Sequence, residues 1–173
     1  MLQHLPHVVG ADVEWVGGER RCEPVVRLVL ASDLAIAADN AFFTTAYTKI
    51  GTSPDGGSTY FLPRVLGMKR AMEFAILSDR IDANDAERLG VVNRVVPATE
   101  LAQETAKLAE RLAKSATQAI ARTKLLLNQS LDSSLESQLQ AEGIGFGACA
   151  ATSDMVEGVN AFLEKRAPHF ANR

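Results

Sequence analysis

The sequence is poor in the residue types that build metal sites and disulfide frameworks. It contains two cysteines, Cys22 and Cys149, and three histidines, and none of them follows a metal-ligand spacing such as Cys-x-x-Cys. We therefore expect no metal ion and no disulfide framework. Two distant thiols with no sign of secretion favour a reducing compartment, so the predicted localisation is cytoplasmic.

Long apolar runs and clusters of like charge are also lacking. No run of about 18 apolar residues is present, and the start of the chain lacks the basic and then apolar pattern of a signal peptide, so no membrane segment is expected. The formal net charge is -3 with both signs interleaved. Without a basic stripe, nucleic acid is not an expected partner. What is present is an ordinary globular composition, with 47% apolar residues in 173.

Residues 1–27 differ in pattern from the rest of the chain. They show neither helical periodicity nor strand alternation, whereas residues 28–98 mix short apolar runs with helical segments and residues 99–173 are helical throughout. We predict three segments with these bounds: an atypical one, an α/β one, and an all-helical one. This order indicates the α/β class with a helical C-terminal region.

The elements follow from periodicity and from glycine, proline and capping residues. The predicted strands are 34–38, 42–45 and 91–96, and the segment 50–57 is a loop by its glycine and proline content. The predicted helices are 57–66, 68–78, 99–113, 116–127, 134–151 and 153–165, with Asp82, Asp85, Thr99 and Ser153 at cap positions and Gly90 at a position that needs positive φ.

Four separated motifs occur in an order that resembles the crotonase superfamily, which contains the enoyl-CoA hydratases and isomerases. They are residues 31–38, residues 43–67 (FTTAYTKIGTSPDGGSTYFLPRVLG), residues 71–96, and residues 153–166, which end in AFLEKR. The resemblance covers about residues 28–173. It implies a partial crotonase-type spiral of ββα repeats, followed by a helical region that forms a homo-trimer or hexamer.

The resemblance also implies an activity on acyl-CoA thioesters. In the family, two backbone N–H groups stabilise the negative thioester oxygen while carboxylates move protons at nearby carbons. Coenzyme A is then part of the substrate, and no other cofactor is implied. Asp55 matches an acid of the enoyl-CoA isomerase and epoxyphenylacetyl-CoA isomerase branches, so it is the expected catalytic residue. An alternative interpretation is that Asp55 caps the helix that follows it.

Two further positions favour an isomerase over a hydratase. The hydratases use two glutamates, and the positions that resemble them hold Tyr47 and, approximately, Arg27.

Near the C-terminus, Phe162 and Lys165 resemble residues that contact the CoA nucleotide. The alternative for this pair is a core phenylalanine and a solvated lysine.

One departure from the family pattern concerns the oxyanion hole. The second oxyanion glycine falls at about Pro24, and proline has no N–H to donate. The other donor belongs to an N-terminal half of the domain that we expect this truncated chain to lack. A shifted reading frame over residues 10–27 is one hypothesis for the atypical segment. The alternatives to an enzyme are therefore a non-catalytic crotonase remnant that only oligomerises, or an unstable truncated product.

Overall fold

The computed structural model describes residues 8–11, 14–16, 19–21 and 23–171, with side chains from Val26 onward. Part of the atypical segment 1–27 lies outside these residues, including His4, His7 and Cys22. Two compact units are present. The N-terminal unit is described from Val8 to Leu108, and the C-terminal unit begins at Ala109. The segment limits at 27 and 98 stay predictions.

The N-terminal unit combines short strands with short helices. Its strands are β1 (Val8–Ala11), β2 (Glu14–Val16), β3 (Glu19–Arg21), β4 (Leu34–Ala38), β5 (Phe42–Phe43), β6 (Ile81–Asp82) and β7 (Arg94–Val96). Its helices are α1 (Glu23–Ala31), α2 (Ser58–Leu66), α3 (Met68–Leu77) and α4 (Ala83–Arg88), with 3₁₀ helices at Tyr47–Ile50 and Ala98–Glu100. The boundary between the units falls within α5 (Leu101–Ala113).

A parallel sheet with the order β1-β4-β7 forms the centre of the N-terminal unit. Val8 pairs with Leu34 on one side of β4, and Ile36 pairs with Arg94 on the other. Because a parallel strand is covered on both faces, its sequence is a continuous apolar run, and residues 35–38 are all buried. The prediction of a strand at 34–38 is confirmed by these pairings.

Two predicted strands are shorter in the structure, and side chains make hydrogen bonds just beyond their ends. After β5, the hydroxyls of Thr44 and Thr45 donate to the carbonyl oxygens of Ser78 and Phe74, each at 3.1 Å, so they close the end of α3. Before β7, the side-chain oxygen of Asn93 accepts the Ala35 N–H at 2.7 Å.

Helix ends also differ from the prediction at several caps. Asp82 caps α4 by accepting the Asp85 N–H at 2.8 Å, and Gly90 has the expected positive φ of 80°. Asp85 lies inside α4, Thr99 lies within a 3₁₀ helix, and the helix at the end of the chain is capped by Thr152, one residue before the predicted Ser153. A capping oxygen must reach the N–H two or three residues ahead, and only the residue at the helix boundary has that geometry.

From Ala109 to Ala171, the described part of the C-terminal unit contains three complete helices. They are α6 (Thr117–Ser130), α7 (Leu135–Ala150) and α8 (Ser153–Leu163), and α7 packs against both of the others. At Gly145, a Cβ atom would lie 3.3 Å from Leu126 Cδ1, so this glycine permits the close approach of α6 and α7. Among the described residues, no helix is both long and apolar enough to cross a membrane.

Candidate active site

The loop that carries Asp55 connects the 3₁₀ helix Tyr47–Ile50 to α2. Gly51, Gly56 and Gly57 have φ values of 77°, 58° and 83°, a region of backbone conformation that glycine adopts without a steric penalty. The N-cap of α2 is Gly57, and no side chain caps this helix. The capping alternative for Asp55 is therefore wrong, and its side chain, which is 70% exposed, is available for other contacts.

Arg27 reaches Asp55 from helix α1. Its Nη1 atom lies 2.7 Å from Asp55 Oδ1, and its side chain is only 35% exposed. The stem of Arg27 crosses the loop closely at Gly56, where a Cβ atom would lie 2.6 Å from Arg27 Cδ and 3.0 Å from Nη1. Glycine is thus required at position 56 for two reasons: the backbone has a positive φ, and a Cβ atom would collide with the Arg27 side chain.

Tyr47 donates a second hydrogen bond to the same oxygen. Its hydroxyl lies 2.7 Å from Asp55 Oδ1. Desolvation by burial and the hydrogen bond to Asp55 raise the pKa of Tyr47 above its usual 10.0, while the nearby Arg27 charge opposes the shift. The phenol therefore stays protonated at neutral pH and acts as a donor.

These two contacts do not follow from the sequence pattern. By resemblance, Arg27 and Tyr47 were identified only as replacements of carboxylates, and nothing in their spacing showed that both bind Asp55. Arg27 lies 28 residues before Asp55, so no local pattern connects them. Pro24 is the second residue of α1, a position that tolerates proline because the first N–H groups of a helix have no partner inside it.

Phe162 and Lys165 lie in the C-terminal unit. Phe162 is 83% exposed, so its alternative interpretation as a core residue is wrong. It borders a mostly apolar cavity of about 370 Å³ together with Met155, Val159 and Phe170. Lys165 follows the end of α8, is exposed, and has a positive φ of 55°. Contact of either residue with a ligand stays a prediction.

Metal ligands do not cluster in the part of the chain that the structure describes. No group of three or more His, Cys, Asp or Glu side chains there is arranged to hold a metal ion.

Comparison with known proteins gives a consistent result. The family model described as Enoyl-CoA hydratase/isomerase matches residues 26–173. A protein of Rhodobacter capsulatus named "Probable enoyl-CoA hydratase" is 40% identical over 146 residues, which are 84% of this chain and 57% of that protein. The 1,2-epoxyphenylacetyl-CoA isomerase of Escherichia coli is 37% identical over 84% of this chain and 56% of its own length.

Solved structures agree with these relatives. The crystal structure of an enoyl-CoA hydratase/isomerase from Cupriavidus metallidurans CH34 superposes with a TM-score of 0.81 at 35% identity, covering 86% of this chain and 56% of that one. This chain thus spans somewhat more than half the length of the proteins it matches.

Proposed function

Because the chain belongs to the enoyl-CoA hydratase/isomerase family, we propose that it acts on acyl-CoA thioesters as an isomerase with Asp55 as the acid/base. Asp55 removes a proton from the carbon next to the thioester of a 3-enoyl-CoA and returns it to the γ carbon. The double bond then moves into conjugation with the thioester, and atoms balance without any co-reactant. Coenzyme A enters only as part of the substrate. In a ring isomerisation, Asp55 would likewise be the residue that transfers the proton.

The observation that carries the proposal is the composition of the Asp55 cluster. Water addition in the resembling hydratases uses two carboxylates, whereas Asp55 here stands with a guanidinium and a phenol. Arginine stays charged at any physiological pH, and the raised pKa of Tyr47 keeps its hydroxyl protonated. Neither residue serves as a second base. A single carboxylate suits a reaction in which one proton leaves one carbon and returns to another, which favours the isomerase branch.

The rate of this isomerase is expected to be reduced by Pro24. By the family resemblance, the second oxyanion glycine falls at about this residue, and losing one such donor costs about 2.7–4 kcal/mol in transition-state stabilisation. A non-catalytic crotonase remnant that only oligomerises is therefore the second candidate function. It is favoured by the exposed apolar side chains of the C-terminal helices, such as Leu135 at 75% and Phe146 at 69%.

Binding of the CoA nucleotide is proposed for Phe162 and Lys165. The exposed phenylalanine ring offers an apolar surface for an adenine, and the exposed ammonium offers a charge for a phosphate.

We propose that the helical region assembles into a homo-trimer or hexamer. Calorimetry with acetoacetyl-CoA and light scattering after size exclusion test both points. Binding by an oligomer supports an enzyme, an oligomer without binding supports the remnant, and an unfolded monomer contradicts both.

The catalytic part is tested by converting trans-3-hexenoyl-CoA to the conjugated 2-enoyl product, with Asp55→Asn against the parent. Because general acid/base catalysis contributes at least about 100-fold, kcat should fall by that factor or more. Asp55 caps no helix, so circular dichroism should stay unchanged. Asp79→Asn, at another exposed aspartate, is the matched control and should keep full activity. Full activity in Asp55→Asn would remove this residue from its assigned role.

A further inference from the structure

The two carboxylate oxygens of Asp55 have different surroundings. Oδ1 accepts two hydrogen bonds of 2.7 Å, one from Arg27 Nη1 and one from the Tyr47 hydroxyl. Among the residues that the structure describes, no donor is recorded at Oδ2. The two donors come from different elements, α1 and the 3₁₀ helix Tyr47–Ile50. The carboxylate is therefore held through one oxygen, while the other has no donor among the described residues.

We infer that Arg27 and Tyr47 are positioning residues that hold Asp55 through Oδ1 and leave Oδ2 to carry the proton. The inference rests on the proposed function, because it assigns roles around the proposed acid/base. A proton-transferring group must lie close to a fixed position relative to the reacting carbons, and small displacements reduce the rate strongly. A loop carboxylate that is 70% exposed would rotate freely without such donors.

The two donors contribute in different ways. Arg27 supplies a positive charge, and its stem lies against Gly56, so the loop and the arginine fix each other's position. Tyr47 supplies a neutral donor that remains protonated, since burial and the neighbouring carboxylate both raise its pKa. The guanidinium and the phenol approach Oδ1 from different elements, so together they define the direction of this oxygen. Removing either donor should affect the chemical step more than substrate binding.

Activity measurements test these roles with trans-3-hexenoyl-CoA as the probe. Hydrogen bonds to charged groups have strengths that correspond to about 10- to 100-fold in rate, so Tyr47→Phe and Arg27→Gln should each lower kcat by that factor. KM should stay within about twofold, because neither residue binds the substrate in this arrangement. Arg27→Lys, which keeps the charge, should recover part of the loss. In the Asp55→Asn background, both substitutions should have almost no further effect, since they act through Asp55.

A spectroscopic measurement tests the contact without any substrate. The chain has two tyrosines, so Tyr60→Phe leaves Tyr47 as the only phenol whose ionisation changes the ultraviolet absorbance. In that background, Asp55→Asn should lower the pKa of Tyr47, because it removes the accepting carboxylate and its charge. Arg27→Gln should raise the pKa of Tyr47, because it removes a positive charge that favours the phenolate. Opposite shifts are a signature that general destabilisation would not produce.

The outcomes separate the positioning role from the proposed function. If Asp55→Asn loses activity while Tyr47→Phe and Arg27→Gln keep the parent kcat, the positioning role is overturned and the isomerase proposal stands. If Asp55→Asn keeps activity, or if the parent has none, the proposed function fails and this inference fails with it. Unchanged titration of Tyr47 in both variants would show that the cluster is absent in solution, which also overturns the inference.

Discussion

The two units of the chain differ in how far their apolar side chains are buried. Among the described residues, every buried apolar side chain except Ala161 belongs to the N-terminal unit, where Ile36, Phe43 and Leu62 are each 1% exposed. In the C-terminal unit, large apolar side chains such as Phe162 and Leu163 are 83% and 72% exposed. A folded chain rarely leaves so much apolar surface in water unless another surface covers it.

This contrast separates two sources of stability. The N-terminal unit has a continuous core around the β1-β4-β7 sheet, and the Asp55 cluster is held by residues of that unit alone. The C-terminal unit relies on helix–helix contacts and on hydrogen bonds and ion pairs at its ends. Substitutions of the same type should therefore have different effects in the two units.

The largest difference is expected for phenylalanine truncation. Phe43→Ala removes a side chain that is 1% exposed, and such core truncations cost about 3–5 kcal/mol in the free energy of unfolding. In dilute, monomeric protein, Phe146→Ala, at a ring that is 69% exposed, should change that free energy by less than about 0.5 kcal/mol. Urea denaturation followed by circular dichroism measures both. A large loss at Phe146 in the monomer would show that its ring is covered within the chain itself, and the contrast between the units would then fail.

A smaller effect is expected from the glycines of α7. A Cβ atom added at Gly147 would meet no neighbouring atom within 4 Å, so Gly147→Ala should stabilise the protein by about 0.5–1 kcal/mol through helix propensity. Gly145→Ala is the matched control, because its new Cβ would lie 3.3 Å from Leu126 Cδ1 and should gain less. Thermal unfolding curves compare them. Destabilisation by Gly147→Ala would indicate that a partner packs on this part of α7.

The sequence was informative wherever local rules decide the structure. Gly67 separates α2 from α3 as its position predicts, and the apolar run 34–38 forms the central strand. The fold prediction, a partial crotonase domain with a helical C-terminal region, is confirmed by the family model and by the solved structures. Residues that form these features have their partners nearby in the chain or follow a simple period.

The failures concern side chains whose partners are distant in the chain. The Asn93 side chain accepts from the Ala35 N–H, 58 residues away, and Arg27 pairs with Asp55 across 28 residues. No window of local sequence contains both members of such a pair. The same limit explains why Asp55 could be interpreted as a helix cap, since only the tertiary structure shows two donors turned toward its side chain.

The smallest predicted effect concerns the ion pairs at the end of the C-terminal unit. Glu157 on α8 accepts two hydrogen bonds from Arg166, at 2.7 and 3.0 Å, and one from the His169 N–H at 2.7 Å. These donors lower the pKa of Glu157 from 4.5 to about 2. Because the folded pKa is the lower one, the stabilisation is complete above pH 4.5 and is lost as the pH falls through about 2.

The amide proton of His169 reports this change directly by NMR. Its chemical shift should titrate with a midpoint near pH 2, and Glu157→Gln should abolish the titration because the accepting carboxylate is gone. Glu164→Gln is the matched control, since Glu164 accepts from Arg166 Nε while the His169 N–H donates to Glu157. A midpoint near the ordinary 4.5 would show that Arg166 does not hold Glu157. The residues after α8 would then be held in place by other contacts, and ion pairs could no longer be named as a source of stability in the C-terminal unit.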